Sequence, residues 1–247
     1  MPPISYQNRV LARLPKAEIA RLVPYLFPVM LAQGQILHEA RRRVDHAYFL
    51  QDGLASIVAT MNGGPSVEVG VVGNEGIIGL PVLLGTESMP NRTLIQIPGS
   101  GFRIKAQFLE EVLQRRGELR KRSQRYIHAH LVQVSQIATC NRLHEIAERL
   151  ARWLLMCHDR IASDDLQITH QSLGDMLGAP RTTVTLAAGT LQRAGLVDYS
   201  RGRVTIVNRK GLEKATCECY GVIRSEYDRL GVICQTYKTQ RLARGHS

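Results

Sequence analysis

Arg181, Thr182, Thr183 and Thr185 follow Ala179-Pro180 within one short run, and side chains of these types hydrogen-bond to base edges and phosphates. Arginine presents two parallel donors that match guanine O6 and N7, and threonine offers a hydroxyl and a methyl that can meet a thymine methyl. That chemistry requires the residues to share one face of a helix. Val184, Ala187, Ala188 and Leu191 recur at helical spacing on one side, and Arg181, Thr182, Thr185 and Gln192 lie on the other. Pro180 suits the first turn, where a missing N–H costs nothing. Upstream, Thr169 to Gly178 reads as a shorter amphipathic helix, with Thr169 as its N-cap and Gly178 as the left-handed residue that ends it. Gly174, Ala187 and Ala188 permit two helices to cross closely. A helical hairpin with a solvated polar face would share these local features.

The residues that follow favour a groove-binding helix. Leu196-Val197-Asp198-Tyr199 and Val204-Thr205-Ile206-Val207 are strand-like runs joined by Ser200-Arg201-Gly202-Arg203, where glycine supplies the turn. Arg201 and Arg203 have no core to pack against at a hairpin tip, whereas a phosphate backbone would neutralise them and release counterions. Helix, turn, helix and basic hairpin together predict a winged helix-turn-helix that binds double-stranded DNA.

These elements need a body to carry them. The chain has 247 residues, 44% of them hydrophobic, and a formal net charge of +11. That length supports two compact domains, and the charge favours a polyanionic partner. No apolar run approaches the roughly 20 residues that span a bilayer, and Met1 to Ser5 lacks a signal-peptide pattern. No membrane partner is expected, and the expected location is the cytoplasm. From Gln33 to Ile104 short β-type runs alternate with glycine turns: Ala47–Leu50, Ala55–Ala59, Val67–Val72 and Thr93–Ile97. They predict a small antiparallel roll or barrel. Phe108-Leu109 and Val112-Leu113 mark a short helix, and Gly117 separates it from a long one that starts near Glu118. Along the long helix Ile127, Leu131, Val134 and Ala138 repeat at four-three-four spacing, a seam that packs against a partner copy or against the roll. A homodimer is expected, since helix-turn-helix proteins usually read two half-sites with two-fold symmetry.

Other chemistries find less support. There is no Ser/His/Asp set, no phosphate-cradling Gly-x-x-x-x-Gly-Lys and no paired carboxylates, so an enzyme is not expected. The five cysteines, Cys140, Cys157, Cys217, Cys219 and Cys234, lack Cys-x-x-Cys spacing and predict no disulfide framework. Adjacent-but-one residues on a helix diverge by roughly 200°, so Cys217 and Cys219 are not expected to face one ion. His128 and His130 meet the same obstacle, and no metal ligand is assigned. Beyond the wing, Leu212, Ala215, Cys219, Val222, Ile223, Leu230 and Ile233 predict a helix packed back on the body, and Lys238, Arg241 and Arg244 a basic tail. A short proline-bounded helix is expected between Arg9 and Phe27, without an assigned function.

This order of roll, long helix and winged helix resembles the Crp/Fnr family of bacterial transcription regulators over nearly the whole chain. The most specific part is Ile168 to Gly178 followed by Arg181-Thr182-Thr183-Val184, which carries the family's Gln-x-x-Gly-x-x-x-Gly pattern and the arginine that opens its recognition helix. Gly53, Gly76, Gly79 and Gly85 are similar to the family's turn glycines. The resemblance implies an α+β fold: an N-terminal cyclic-nucleotide-binding-like double-stranded β-roll, a long dimerisation helix and a C-terminal winged helix-turn-helix. Expected boundaries are 1–30 for an N-terminal helical segment, 31–105 for the roll, 106–139 for the short and long helices, 140–210 for the DNA-binding domain and 211–247 for a C-terminal helix and tail. The junction falls near Thr139-Cys140-Asn141. The resemblance also implies that Arg181, Thr182, Thr183 and Thr185 face bases, that Thr169, His170 and Gln171 touch phosphate, and that RNA polymerase is a further partner.

The sequence also departs from the family. Thr182 stands where glutamate is usual and Leu186 where arginine is frequent, so the family's best-known half-site does not carry over. Gly79-Leu80-Pro81 replaces a Gly-Glu-Leu turn whose carboxylate would hold ribose, while Arg92-Thr93 keeps the phosphate pair. His130 and Leu131 stand where cyclic-AMP binders have two hydroxyl residues. Cyclic AMP is therefore not expected. Gly79, Arg92, Thr93 and His130 are the candidate contacts for another small effector, and no cofactor is assigned. A regulator without a ligand, or one answering to redox state or metal through the C-terminal cysteines, remains open.

Overall fold

The computed structural model describes residues 6–61, 66–161 and 163–232. The proline-bounded segment forms two short 3-10 turns around helix α1 (Lys16–Leu22) rather than a single helix. Strands β1 (Phe27–Leu31), β2 (Ile36–His38), β3 (His46–Leu50), β4 (Leu54–Thr60), β5 (Ser66–Val72), β6 (Arg92–Ile97) and β7 (Gly99–Lys105) build the roll, with helix α2 (Leu80–Leu84) between β5 and β6. They pair in two antiparallel sheets, ordered β1-β7-β3 and β2-β6-β4-β5. Phe49, Leu50, Leu54, Ile77, Ile95 and Ile104 are buried in its core. β1 brings residues from Phe27 onward into the roll, ahead of the expected start at residue 31.

Helix α3 (Ala106–Gln114) leads to α4 (Glu118–Leu143), whose 26 residues span about 39 Å at 1.5 Å per residue. Gly117 provides no side chain to cap α4. The Glu18 carboxylate of α1 does so instead, accepting from the backbone N–H groups of Glu118 at 2.8 Å and Leu119 at 3.0 Å. Such capping of orphan amides contributes about 1 kcal/mol. Leu119, Tyr126, Ala129, His130, Gln133 and Ile137 face the body. On another face Leu131 and Ala138 are exposed, and Ile127 and Val134 are half-buried.

The expected junction is displaced. α4 runs through Thr139-Cys140-Asn141 to Leu143, because none of these residues stops a helix. The break comes at His144-Glu145, where the Glu148 side chain accepts the Glu145 N–H at 3.0 Å and starts α5 (Ile146–His158). Residues 150–158 of α5 are all buried, including the polar Arg152 and His158. It wedges between roll and C-terminal domain. The Trp153 indole N–H donates to Glu68 on β5 at 2.9 Å. Arg160 pairs with Glu75 of the roll at 2.7 Å, donates to Gln133 of α4 at 3.0 Å and to the Met156 carbonyl at 2.8 Å.

The C-terminal domain contains β8 (Asp165–Gln167), α6 (His170–Leu177), α7 (Arg181–Arg193), β9 (Val197–Ser200) and β10 (Arg203–Ile206), with a sheet ordered β8-β10-β9. The expected C-terminal helix is two helices, α8 (Arg209–Ala215) and α9 (Glu218–Arg229), broken at Thr216-Cys217. α9 packs on α4 and α5 through Cys219, Tyr220, Ile223 and Tyr227, and Val222 faces outward, contrary to expectation. Cys234, Ile233 and the basic tail lie outside the described residues. No helix among those described is long and apolar enough to cross a membrane.

Candidate nucleic-acid interface

The turn between α6 and α7 forms as its residue types require. The Thr169 hydroxyl accepts the Ser172 N–H at 3.1 Å, and Gly178 ends α6 with φ 59°, a left-handed conformation that glycine adopts without Cβ strain. Even a Cβ at Gly178 would lie 2.9 Å from Val67 Cγ2 on β5, so the turn sits directly on the roll. Pro180 is the N-cap of α7, one residue ahead of the expected first turn. Val184, Ala187, Ala188 and Leu191 are buried as the back of α7. Burying each of the two larger side chains contributes roughly 1.5–3 kcal/mol and fixes the helix against α5 and α6.

The opposite face is open. Arg181, Thr182, Thr185 and Gln192 are exposed and Thr183 is half-buried. Among the described residues the Arg181 guanidinium makes no hydrogen bond or ion pair, so its donors are free for a base. Leu186 adds an apolar patch to this face at 73% exposure. Thr185 is partly committed: its hydroxyl donates to the Arg181 carbonyl at 2.9 Å and accepts from His170 Nδ1 at 3.1 Å, leaving its methyl outward.

His170, expected at phosphate, also makes contacts within the domain. Its ring stacks on Tyr199 of the wing with centroids 3.8 Å apart, and its Nε2 is buried without a hydrogen-bond partner. Burial, then the Arg181 charge, holds its pKa below the usual histidine range. The ring links α6 to α7 through Thr185 and to β9 through Tyr199. Thr169 and Gln171 are exposed beside it, and Gln171 donates to Asp175 at 3.0 Å. Tyr199 donates its hydroxyl to the Ile168 carbonyl at 3.0 Å, tying wing to α6.

At the wing tip Arg201 has φ 48° and is exposed. Arg203 is also exposed, but the Gln167 amide, oriented with its oxygen inward, accepts from it at 3.0 and 3.2 Å. Arg201 is therefore the freer of the two wing cations.

The four candidate effector contacts each have partners within the chain. Gly79 packs on Ala47 of β3, and Thr93 is buried in β6. Arg92 pairs with Glu39 at 3.1 Å, both side chains being about half exposed. His130 lies against β5, where a Cβ on Gly70 would be 2.8 Å from its Cε1. Burial, with the Arg160 charge, pushes its pKa down to about 4, so it is a neutral core histidine. A separate cleft of about 470 Å³ opens between α2, α3 and α4, lined by Thr86, Glu110, Arg120 and Ser123 among others.

A further cluster was invisible to helical geometry. Cys217 is the N-cap of α9 with extended backbone, φ −73° and ψ 166°, so the divergence expected for two helical residues does not apply. Cys217 and Cys219 both turn toward Cys140 at the end of α4, and His144 completes the group. No spacing rule links residues this far apart in sequence.

Comparison with known proteins matches the interface to a described family. The Crp-like helix-turn-helix domain matches residues 148–215, which span most of α5, the α6–α7 pair, the wing and α8. Residues 148–215 thus carry a match to a Crp-like helix-turn-helix domain, a DNA-binding module, within a chain that shares the fold of Crp/Fnr regulators. The chain is 22% identical over 179 residues to the Global nitrogen regulator of Synechococcus elongatus, covering 69% of this chain and 81% of that protein. Among solved structures, FixK2 from Bradyrhizobium japonicum aligns with a TM-score of 0.67 at 16% identity, covering 78% of this chain and 98% of that one. A CRP-family transcriptional regulator from Thermus thermophilus, TTHB099, aligns with a TM-score of 0.62 at 18% identity, covering 76% and 95%. At such identities these structures establish the fold alone. The Synechococcus elongatus relative is named as a nitrogen regulator, and TTHB099 is described as a transcriptional regulator.

Proposed function

We propose that the chain is a transcription regulator of the Crp/Fnr type that binds a pseudo-palindromic operator as a homodimer, with α7 of each copy in a major groove and the long helices paired along Ile127, Leu131, Val134 and Ala138. The observation that carries this reading is the unengaged polar face of α7, Arg181 and Thr182 above all, seated on a fully buried apolar back. Arg181 reads guanine, Thr182, Thr183 and the Thr185 methyl contact neighbouring bases, and Thr169, Gln171, Arg201 and Arg203 hold phosphates. The seam supports pairing because Leu131 is 62% exposed on a helix whose other side is buried. RNA polymerase is the partner through which binding alters transcription, and the cytoplasm is the compartment, consistent with free thiols at Cys140, Cys157, Cys217 and Cys219.

Control by cyclic AMP finds no support in a roll that has Leu80 where a carboxylate would hold ribose and a buried His130 where a hydroxyl would meet the base. Another small effector would enter the cleft between α2, α3 and α4, where the buried Ser123 hydroxyl has no partner. Selection of binding sites from random DNA with the full-length protein tests the reading. A two-fold symmetric motif with half-sites about one helical turn apart supports it, and a single asymmetric site or salt-independent affinity overturns it.

A further inference from the structure

Four side chains from three parts of the chain meet where α4 ends and α9 begins. Cys140 is the last buried residue of α4, His144 is its C-cap, Cys217 is the N-cap of α9 and Cys219 lies in its first turn. Each offers one ligand atom, and all four atoms lie within 4.8 Å of one another. Cys140 Sγ is 3.4 Å from Cys217 Sγ, and Cys219 Sγ is 3.7 Å from His144 Nδ1. Tetrahedral zinc with Zn–S near 2.3 Å and Zn–N near 2.0–2.1 Å places its ligands roughly 3.3–3.8 Å apart, close to these separations. An iron-sulfur cluster distributes its thiolates over different iron atoms and would need them spread more widely.

The surroundings suit a bound ion better than three packed thiols. His144 turns Nδ1 toward the cluster while its Nε2 lies 3.2 Å from Glu218 Oε2. A carboxylate behind the outer nitrogen fixes the tautomer and strengthens the inner one as a ligand. Arg152, 2% exposed, donates from Nε to Cys140 Sγ at 3.2 Å. Three thiolates, a neutral imidazole and a divalent cation leave one negative charge, which this buried guanidinium offsets.

We propose that Cys140, His144, Cys217 and Cys219 form a mononuclear tetrahedral site for Zn²⁺. On binding, each thiol gives its proton to solvent as its sulfur bonds to the ion, and no electrons are transferred. The ion ties the C-terminus of α4 to the N-terminus of α9. Because α5 starts at Ile146, two residues after His144, it also fixes the angle at which the DNA-binding domain leaves the long helix. That consequence for DNA rests on the function proposed above, whereas the site itself does not.

The test uses the full chain purified under reducing conditions. Elemental analysis is expected to find one zinc per chain, and Co²⁺ in its place to give thiolate-to-cobalt charge transfer with tetrahedral d–d bands. Cys217→Ser and Cys219→Ser are expected to lose the metal, and Cys157→Ala, a buried thiol elsewhere, to keep it. Glu218→Gln is expected to weaken zinc affinity about 10–100-fold in competition with a chromophoric chelator. Zinc raising the melting temperature of the unmodified protein provides a readout that survives misfolding of any variant. No stoichiometric zinc after reduction and reconstitution, a Cys140–Cys217 disulfide under those conditions, an iron-sulfur spectrum, or zinc retained in both serine variants overturns the assignment. Operator affinity measured with and without the ion then separates the two claims, since a filled site with unchanged affinity refutes only the coupling to DNA.

Discussion

Arg181 opens α7 with its guanidinium unengaged, and its neighbours explain why it stays that way. The Thr185 hydroxyl occupies the Arg181 carbonyl, and His170 is held by stacking on Tyr199, so nearby side chains leave the guanidinium free. Arg181→Ala is expected to leave the fold intact and to cost about 1–3 kcal/mol of discrimination at one base pair in each half-site. Binding to a set of single-base operator variants checks this, and a uniform loss across all variants would reduce Arg181 to a phosphate contact. Arg181, Thr182 and the wing arginines were legible in the sequence because their pattern is local: polar residues at helical spacing, then a turn with two cations. His170 was not. Its role depends on the Tyr199 ring arriving from β9 and on the Thr185 hydroxyl arriving from α7, neither of which a helical wheel of α6 contains.

Elements show the same division between local and distant causes. The α6–α7 pair could be read from cap residues and amphipathic spacing, and the roll from short strands with glycine turns. α5 was harder, since residues 150–158 are all buried, and its polar side, with Arg152 and His158, would read from sequence as a solvent face. The Cys217 thiol depended on whether one residue was helical or capping, a distinction finer than sequence patterns locate. α1 acquires a purpose only in three dimensions, where Glu18 caps α4 across the fold. Glu18→Ala is expected to destabilise the protein by about 1 kcal/mol and to fray the first turn of α4. Hydrogen exchange at the Glu118 and Leu119 amides checks it, with loss of protection there and none at Ile137; unchanged protection would mean that water replaces the carboxylate at no cost.

At the scale of the whole molecule, two interfaces matter: the proposed one between copies and the one between roll and C-terminal domain. Leu131→Glu places a charge in the exposed seam and is expected to give a folded monomer, read by light scattering with circular dichroism as control; an unchanged mass would move the dimer contact elsewhere. Within the chain, Glu68 on β5 accepts from Ser56 and from Trp153 of α5, and burial pushes its carboxyl up from about 4.5 to about 7. Between those values the folded chain holds a proton that the unfolded chain has released. The stability due to this group is therefore full below about pH 4.5 and is lost as pH rises through about 7. His130 acts in the opposite sense, since burial lowers it from 6.5 to about 4 and its contribution is lost as pH falls through that range. The two windows overlap, so Glu68 offsets the acid sensitivity that His130 introduces. Glu68→Gln retains an oxygen for Trp153 and removes the titration. The variant is expected to exceed the unmodified protein above about pH 7 by up to a few kcal/mol, and its melting temperature to fall more steeply between about pH 7 and 5. Parallel melting profiles would mean that Glu68 is already ionised in the fold, and that Arg152 and Arg160 outweigh its burial.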